Sequence, residues 1–202
     1  VTAIGAISPQ GGDFSEPVTH NTLRVVKTFW ALDASLAYKR HFPSINWIQS
    51  YSGYDTLGND DDTKNEIRTL QKEALFILQE EDELQEIVKL VGPDALSEDK
   101  KVILQTAKML REDFLQQNSL NPVDAYCAQE KQEGMLTLIM EIHKVMNTLV
   151  EDNVKVSEII THEIFSDIAQ LKNNKEITSL AKTISEKKEQ LLKQFEKRGE
   201  KK

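Results

Sequence analysis

The sequence predicts a mainly α fold, in which a C-terminal helical bundle follows a shorter segment of different character. Beyond about residue 62, apolar residues recur at the spacing of helices that bury one face. Before it, Ser8–Trp47 concentrates glycine, proline, aromatic and β-branched residues, which is typical of strands and turns. The polar run Gly53–Asp62 lies between them and predicts a loop that separates two domains, residues 1–55 and residues 56–202.

Strands and short helices are predicted for the first segment. Val1–Ile7 alternates small and β-branched residues, so we expect a buried strand from a larger sheet, of which this chain is a fragment. Ser15 is expected to cap a helix that begins with an acidic residue and a proline. The short, β-branched run Val25–Leu32 favours a second buried strand. Ala34–Arg40 predicts a brief helix that ends before Pro43, because a residue that precedes proline disfavours helical geometry.

Helices are predicted for the rest of the chain. The first carries apolar stripes at Ile67, Leu70, Ala74 and Ile77, and then at Leu84, Ile87, Val88 and Val91. Gly92-Pro93 breaks the chain, and Ser97 is expected to cap the next helix. Asn121-Pro122 predicts a short helical turn that runs through Tyr126. Further helices are expected at Leu136–His143, Glu158–Lys172 and Ile177–Phe195.

Composition and charge exclude several classes of function. The formal net charge of -8 argues against nonspecific nucleic-acid binding, because no basic patch precedes the C-terminal lysines. No apolar run approaches the ~20 residues that span a bilayer, so no membrane insertion is expected. The single cysteine, Cys127, forms no internal disulfide, which favours a reducing compartment and a role as a small core residue.

The residues alone indicate neither a catalytic site nor a metal site. The four histidines share no ligand spacing with one another or with Cys127. The sequence contains no G-x-x-x-x-G-K-[S/T] motif, and Gly11-Gly12 predicts a turn instead. Phe42 and Tyr126 stand out as aromatic residues, for which composition favours a place in the core.

Two motifs are similar to one known family. Gly11–Val18, with the sequence GGDFSEPV, and His41–Trp47, with the sequence HFPSINW, resemble the catalytic A subunit of archaeal A-type and vacuolar-type ATPases. Asp94–Lys100, Phe114–Asn118 and Pro122–Cys127 also agree with this family, and the resemblance covers most of the chain. In the sister B subunits an arginine follows the Pro-x-Ile-Asn element. The corresponding residues 50–54 contain none, which favours the catalytic type.

The resemblance implies a fold and a nucleotide site. Residues 1–55 would be the C-terminal edge of an α/β (RecA-like) nucleotide-binding domain, and the C-terminal helical domain would follow. Phe42 matches the aromatic residue that stacks on adenine, Tyr126 matches a second aromatic of that pocket, and Leu120 replaces a third. ATP or ADP with Mg would bind in the full assembly. This chain would hold none firmly and would be inactive alone, because the phosphate-binding loop lies upstream.

The resemblance also implies partners. Asp94, Ser97, Glu98 and Asp99 would contact the central-stalk (rotor) subunits, although the same residues also suit a capped helix start. Other partners would be the B subunit of the A3B3 ring and the upstream part of the catalytic polypeptide, in a cytoplasmic head that is peripheral to the membrane. The alternative function is a free-standing helical adaptor that binds no nucleotide.

Overall fold

The computed structural model describes residues 1–54, 62–173 and 180–199. It confirms a mainly α fold with a small two-stranded sheet near the N-terminus. The elements are α1 (Pro17–Leu23), β1 (Thr28–Leu32), α2 (Ala34–Tyr38), β2 (Ile45–Ser52), α3 (Asp62–Val91), α4 (Glu98–Met109), α5 (Gln129–Glu151), α6 (Val156–Ile159), α7 (Ile164–Leu171) and α8 (Leu180–Gly199). Most of the predicted boundary loop, and with it the boundary at residues 55 and 56, lies outside the described residues.

The sheet is an antiparallel pair with a wide irregularity in its register. Phe29 pairs with Tyr51 and Ala31 pairs with Asn46, so β2 contains extra residues between these two pairs. Side chains stabilise the irregularity, since Ala31 N donates to Ser50 Oγ at 3.0 Å and Ser50 Oγ donates to Asn46 O at 2.5 Å. Such bulges re-aim side chains, and here Trp47 packs against the helical core.

Two predictions for the first segment are wrong and one is partly right. Val1–Ile7 is exposed and forms no strand, because a strand needs a hydrogen-bonded neighbour and the two described strands pair with each other. The predicted strand Val25–Leu32 begins only at Thr28, and Ala31 alone of its residues is buried. The first helix is capped by Glu16 and not by Ser15, since the Glu16 side chain accepts from Thr19 N at 3.2 Å.

Helix α5 is the centre of the bundle. Its apolar residues cover more than half of the helix circumference, which predicts a helix packed against several others, and its polar residues such as Lys144 and Thr148 face solvent. It contacts α3, α4, α6 and α8. Five of its side chains are at most 1% exposed, and they are Leu138, Ile139, Met140, Ile142 and Met146. No helix among the described residues is long and apolar enough to cross a membrane.

The helices that flank α5 follow the predicted pattern with one correction, which concerns residues 158–172. Both apolar stripes of residues 67–91 belong to the single 30-residue helix α3, which ends where Gly92 takes a φ of 81°. Residues 121–126 contain the predicted short turn, in which Ala125 N donates to Asn121 O at 2.8 Å and Asn121 Oδ1 accepts from Val123 N at 3.0 Å. The predicted helix Glu158–Lys172 is interrupted between α6 and α7, where His162 Nδ1 accepts from Ile164 N at 3.1 Å.

Helix α4 does not end in a cap, because its helical turn widens into a π-helix at the C-terminal end. Residues Leu110–Leu115 continue it as a π-helix, with helical backbone angles at Met109 and Leu110. A further five-residue bond from Gln116 N to Arg111 O, at 2.9 Å, closes this π-helical segment. Lys172 Nζ donates to Glu112 O at 3.0 Å, so the end of α7 is fixed to the widened turn. π-Helical turns are rare and frequently lie at functional sites.

Candidate functional site

Phe42 lies in the turn that joins α2 to β2. Helix α2 is held at its start by Asp33, whose Oδ1 accepts from Ser35 N at 2.7 Å. It ends at Tyr38, and two residues later Arg40 adopts a φ of 58°, which turns the chain away from the helix. The Phe42 ring that follows is 50% exposed. The core position that composition favours is therefore wrong for Phe42.

A connecting loop, residues 116–128, joins the π-helical segment to α5 and contacts the Phe42 turn. Gln117 N donates to Phe42 O at 2.7 Å, and Gln116 Nε2 donates to Arg40 O at 3.2 Å. These bonds connect residues that are about 75 positions apart in the sequence. The backbone of Phe42 is thereby fixed to the base of the connecting loop.

The other two residues of the expected adenine pocket lie on this connecting loop. Leu120 is 91% exposed and Tyr126 is 86% exposed, so the core alternative is also wrong for Tyr126. Within the loop, Asn118 Oδ1 accepts from Leu120 N and Asn121 Oδ1 accepts from Val123 N, both at 3.0 Å. The loop is thus ordered by its own side chains while it presents two apolar side chains outward.

A buried polar cluster lies where the first segment meets the bundle. His41 is 8% exposed and its ring centre is 5.4 Å from that of Trp47. Burial lowers the pKa of His41, and the nearby Arg111 guanidinium lowers it further. Arg111 NH2 is 3.2 Å from Glu81 Oε1, and burial raises the pKa of that almost fully buried carboxyl. Gln85 Nε2 donates to the same oxygen at 3.1 Å.

This cluster was not identified from the sequence, although a signal for it exists. Glu81 occupies the apolar register of α3, four residues after Ile77 and three before Leu84. An acid at such a position needs a buried partner, since an unpaired buried charge is costly. Arg111, whose position in the π-helical segment is not evident from sequence, supplies that partner.

Two small cavities lie beneath the connecting loop. The larger, of about 320 Å³, is lined by residues of α3, the π-helical segment and α5, including Ile67, Phe114 and Cys127. The smaller, of about 190 Å³, is lined by Asp113, Asp124 and Lys172 among others. Burial raises the pKa of Asp113 to about 6. Phe42, Leu120 and Tyr126 line neither cavity.

The described residues include few groups that are suited to nucleophilic catalysis or to metal binding. Burial raises the pKa of the Cys127 thiol, which makes it a weaker nucleophile at neutral pH. Within residues 1–54, 62–173 and 180–199, no group of three or more His, Cys, Asp or Glu side chains could hold a metal ion. The outward apolar and aromatic side chains of the Phe42 turn and the connecting loop are suited to binding a flat ring.

The four residues expected to contact a rotor lie at the tip between α3 and α4. Asp94, Ser97 and Asp99 are exposed, and Ser97 occupies the cap position of α4 without a side-chain capping bond. Glu98 differs from them, because its Oε1 accepts from Lys101 Nζ at 2.8 Å and its Oε2 from Val156 N at 2.7 Å. Hydrogen bonds from Lys101 and Val156 lower the pKa of Glu98. The bond between Glu98 and Val156 N also anchors the start of α6.

Family models match both parts of the chain. Residues 58–160 match the model described as the C-terminal domain of V and A type ATP synthase. Residues 1–52 match that of the ATP synthase alpha/beta family, nucleotide-binding domain. A solved structure titled as a unique ATP synthase subunit NeqB from Nanoarcheaum equitans has a similar fold. Its TM-score is 0.55 at 21% identity, over 66% of this chain and 33% of that one.

Curated relatives are similar over nearly all of the chain. The A subunit of the A-type ATP synthase from Methanopyrus kandleri is 49% identical over 207 residues, which cover 95% of this chain and 34% of that protein. The corresponding protein from Thermococcus onnurineus is 48% identical over 98% of this chain and 34% of its own length. That from Methanococcus maripaludis is 52% identical over 85% of this chain and 30% of its own. The chain thus spans about a third of the length of these relatives.

Proposed function

Since the chain belongs to the family of C-terminal domains of V and A type ATP synthases, we propose that it is the C-terminal part of the catalytic A subunit of an A-type ATP synthase. The observation that supports this most directly is 45–52% identity to curated A subunits over 85–99% of the chain. This similarity favours a role in ATP synthesis or hydrolysis coupled to proton or sodium transport. It favours that role over a helical adaptor that binds no nucleotide.

In this proposal, residues 1–55 form the last edge of the nucleotide-binding domain and contribute one side of the adenine pocket. Phe42 stacks on the base, Tyr126 adds a second aromatic face, and Leu120 adds an apolar wall that does not stack. An aromatic face suits this role because it binds a base without reading its hydrogen bonds. Two observations support the assignment. All three side chains are exposed, and Gln117 N donates to Phe42 O.

Base stacking is tested with Phe42→Ala and Tyr126→Ala in the full-length protein, assembled with its partners. Each substitution should weaken Mg-ATP binding by about 1–3 kcal/mol, the cost of losing one base–aromatic stack. Tyr38→Ala is the matched control, because Tyr38 is an 88% exposed aromatic residue on the adjacent α2. Unchanged nucleotide affinity in both pocket variants, at unchanged thermal stability, would contradict the adenine role.

The helical run that starts at the tip supports a coupling role. Helix α4 and the π-helical segment are continuous over residues 98–115, a length of about 25 Å. The tip lies at one end of this run and the connecting loop follows its other end. Movement of the loop on nucleotide binding would therefore move the tip against the central stalk. The further proposed partners are the upstream part of the catalytic polypeptide and the B subunit, in a cytoplasmic head peripheral to the membrane.

The rotor contact is tested by neutralising only the exposed acids. Asp94→Asn combined with Asp99→Asn should weaken association with the central-stalk subunits, more at low salt than at high salt. Glu98→Gln is made separately, because Glu98 bonds to Val156 N within the bundle and its loss affects folding. Stalk binding by the double variant that equals wild type at both ionic strengths would exclude charge at this tip from coupling.

The chain by itself is proposed to hydrolyse no ATP. Its sequence contains no phosphate-binding loop, and positioning and charge stabilisation at the phosphates account for nearly all of phosphoryl-transfer catalysis. The measurement is phosphate release by the purified chain with Mg-ATP, compared with a mock preparation. Sustained release above that background would refute the proposal.

A further inference from the structure

We propose that Asp124 is a positioning residue for the adenine pocket, which acts by holding the connecting loop against the Phe42 turn. This inference rests on the proposed function. It adds a residue that touches no nucleotide but sets the geometry of the residues that do. Its basis is a buried carboxylate that closes the loop which presents Leu120 and Tyr126.

The Asp124 side chain bridges the base of the loop. Asp124 is 4% exposed, and its Oδ2 accepts from Asn118 N at 2.6 Å. Its backbone oxygen accepts from Gln117 Nε2 at 3.5 Å. The two ends of a seven-residue stretch, residues 118–124, are thereby joined around Leu120, and Tyr126 follows two residues later. A short bond from a backbone amide to a carboxylate is among the stronger hydrogen bonds in proteins.

The same stretch of backbone is bound to the Phe42 turn. Gln117 N donates to Phe42 O at 2.7 Å, one residue before the amide that Asp124 accepts. Two consecutive peptide units, Gln116–Gln117 and Gln117–Asn118, are therefore each held by a hydrogen bond from their N–H group. If the bond to Asp124 is lost, the Gln117–Asn118 peptide can rotate, and the two loop side chains then shift relative to Phe42.

A carboxylate at this position is not explained by packing. Burial of a charge costs free energy that only well-placed donors offset, and an apolar side chain would fill the same space at lower cost. The loop is fixed on its far side as well, since Asn121 Nδ2 donates to Asn173 Oδ1 at 2.8 Å. Lys131 Nζ donates to Lys172 O at 2.5 Å beside the same loop. Asp124 thus closes the loop on itself through Asn118 N, while Asn121 fixes its far side to Asn173.

The substitutions Asp124→Ala and Asp124→Asn separate positioning from folding. Alanine removes the acceptor for Asn118 N, whereas asparagine keeps an oxygen of the same shape at the same place. In the assembled full-length enzyme, Asp124→Ala should raise the KM for Mg-ATP about fivefold or more, while kcat changes little. A change of about fivefold corresponds to the lower end of the free energy that is lost with one base–aromatic stack. Asp124→Asn should restore the KM to within about twofold of wild type. Val145→Ala, which truncates a buried side chain of α5, is the control for lost stability alone.

Amide hydrogen exchange provides a measurement that does not depend on activity, and its wild-type arm does not depend on a folded alanine variant. In the wild-type chain the Asn118 amide should be protected, and in folded Asp124→Ala it should exchange at least about tenfold faster. Rapid exchange of Asn118 in the wild type overturns the proposal.

Parallel variants distinguish failure of the adenine role from failure of the positioning role. If Phe42→Ala and Tyr126→Ala leave the KM unchanged, the adenine role fails, and the positioning role fails with it. If they raise the KM while Asp124→Ala does not, only the positioning role is overturned. It is also overturned if Val145→Ala raises the KM as much as Asp124→Ala, or if Asp124→Asn does not restore it.

Discussion

Asp113 should make the chain less stable at neutral pH than at mildly acidic pH, and Asp113→Asn should remove this effect. The carboxyl lies half-buried in the π-helical segment and lines the smaller cavity. Burial raises the pKa of Asp113 from 3.8 to about 6, and the Glu112 carboxylate adds to the rise. Two cations, Lys172 and Lys108, oppose it without cancelling it.

The pKa of Asp113 gives the size and sign of the effect. Below about pH 3.8 the carboxyl is protonated in both folded and unfolded chains, so it contributes no penalty. Between pH 3.8 and about 6 the folded chain binds more protons, so stability falls as the pH rises. Above pH 6 the penalty is constant at about 2–3 kcal/mol, because each pKa unit corresponds to about 1.4 kcal/mol.

The assay is chemical denaturation of the wild-type and Asp113→Asn chains, followed by circular dichroism at about pH 4, 5, 6 and 7. The free energy of unfolding of the variant, minus that of wild type, should rise from near zero at about pH 4 to about 2–3 kcal/mol at about pH 7. Glu86→Gln is the control, since Glu86 is an exposed carboxylate whose loss should change stability by less than about 0.5 kcal/mol. A variant-to-wild-type difference that does not change with pH would refute the assignment of the raised pKa to Asp113.

Two further predictions concern stability and use the same denaturation assay. Arg111→Met should destabilise the chain by about 3–5 kcal/mol at neutral pH, because it leaves the Glu81 carboxylate buried without its cation. The loss should be smaller at mildly acidic pH, where the raised pKa of Glu81 favours the neutral acid, and a loss equal at both pH values would contradict this account. Ile142→Ala should cost about 2–5 kcal/mol because Ile142 is fully buried in α5, whereas Ile87→Ala should cost less than about 1 kcal/mol at its 46% exposed site. Equal losses at these two positions would show that the burial pattern of the bundle is wrong.

Periodicity predicted the bundle well because the helices bury one face each. The stripes of α3 and the break at Gly92-Pro93 follow from local sequence alone. Val1–Ile7 shows the limit of that reasoning. Its alternating residues are typical of a strand, but a strand forms only beside a pairing partner, which the sequence pattern does not reveal. The short turn predicted over Asn121–Tyr126 also follows from local sequence. Asn121 Oδ1 accepts from Val123 N at its start, and Ala125 N donates to Asn121 O.

The candidate site was less accessible to sequence reasoning, since its key contacts are not local. Composition favoured core positions for Phe42 and Tyr126, and only the family resemblance assigned them to an adenine pocket. The bond between Gln117 N and Phe42 O joins two segments whose proximity depends on the whole fold. The Glu81–Arg111 pair depends on the π-helical turn, for which the sequence offers no clear pattern.

The widened end of α4 helps to explain how one helix could serve both the tip and the connecting loop. If α4 ended with no hydrogen bond to the residues that follow, displacement of the loop would not be transmitted along it. Instead, the five-residue bond from Gln116 N to Arg111 O continues the helical run to the first residue of the loop. Lys172 holds the same turn through Glu112 O, and Asn173 holds the loop through Asn121. Loop, widened turn and the end of α7 are thus bound to one another at three points, so we expect them to move as one unit.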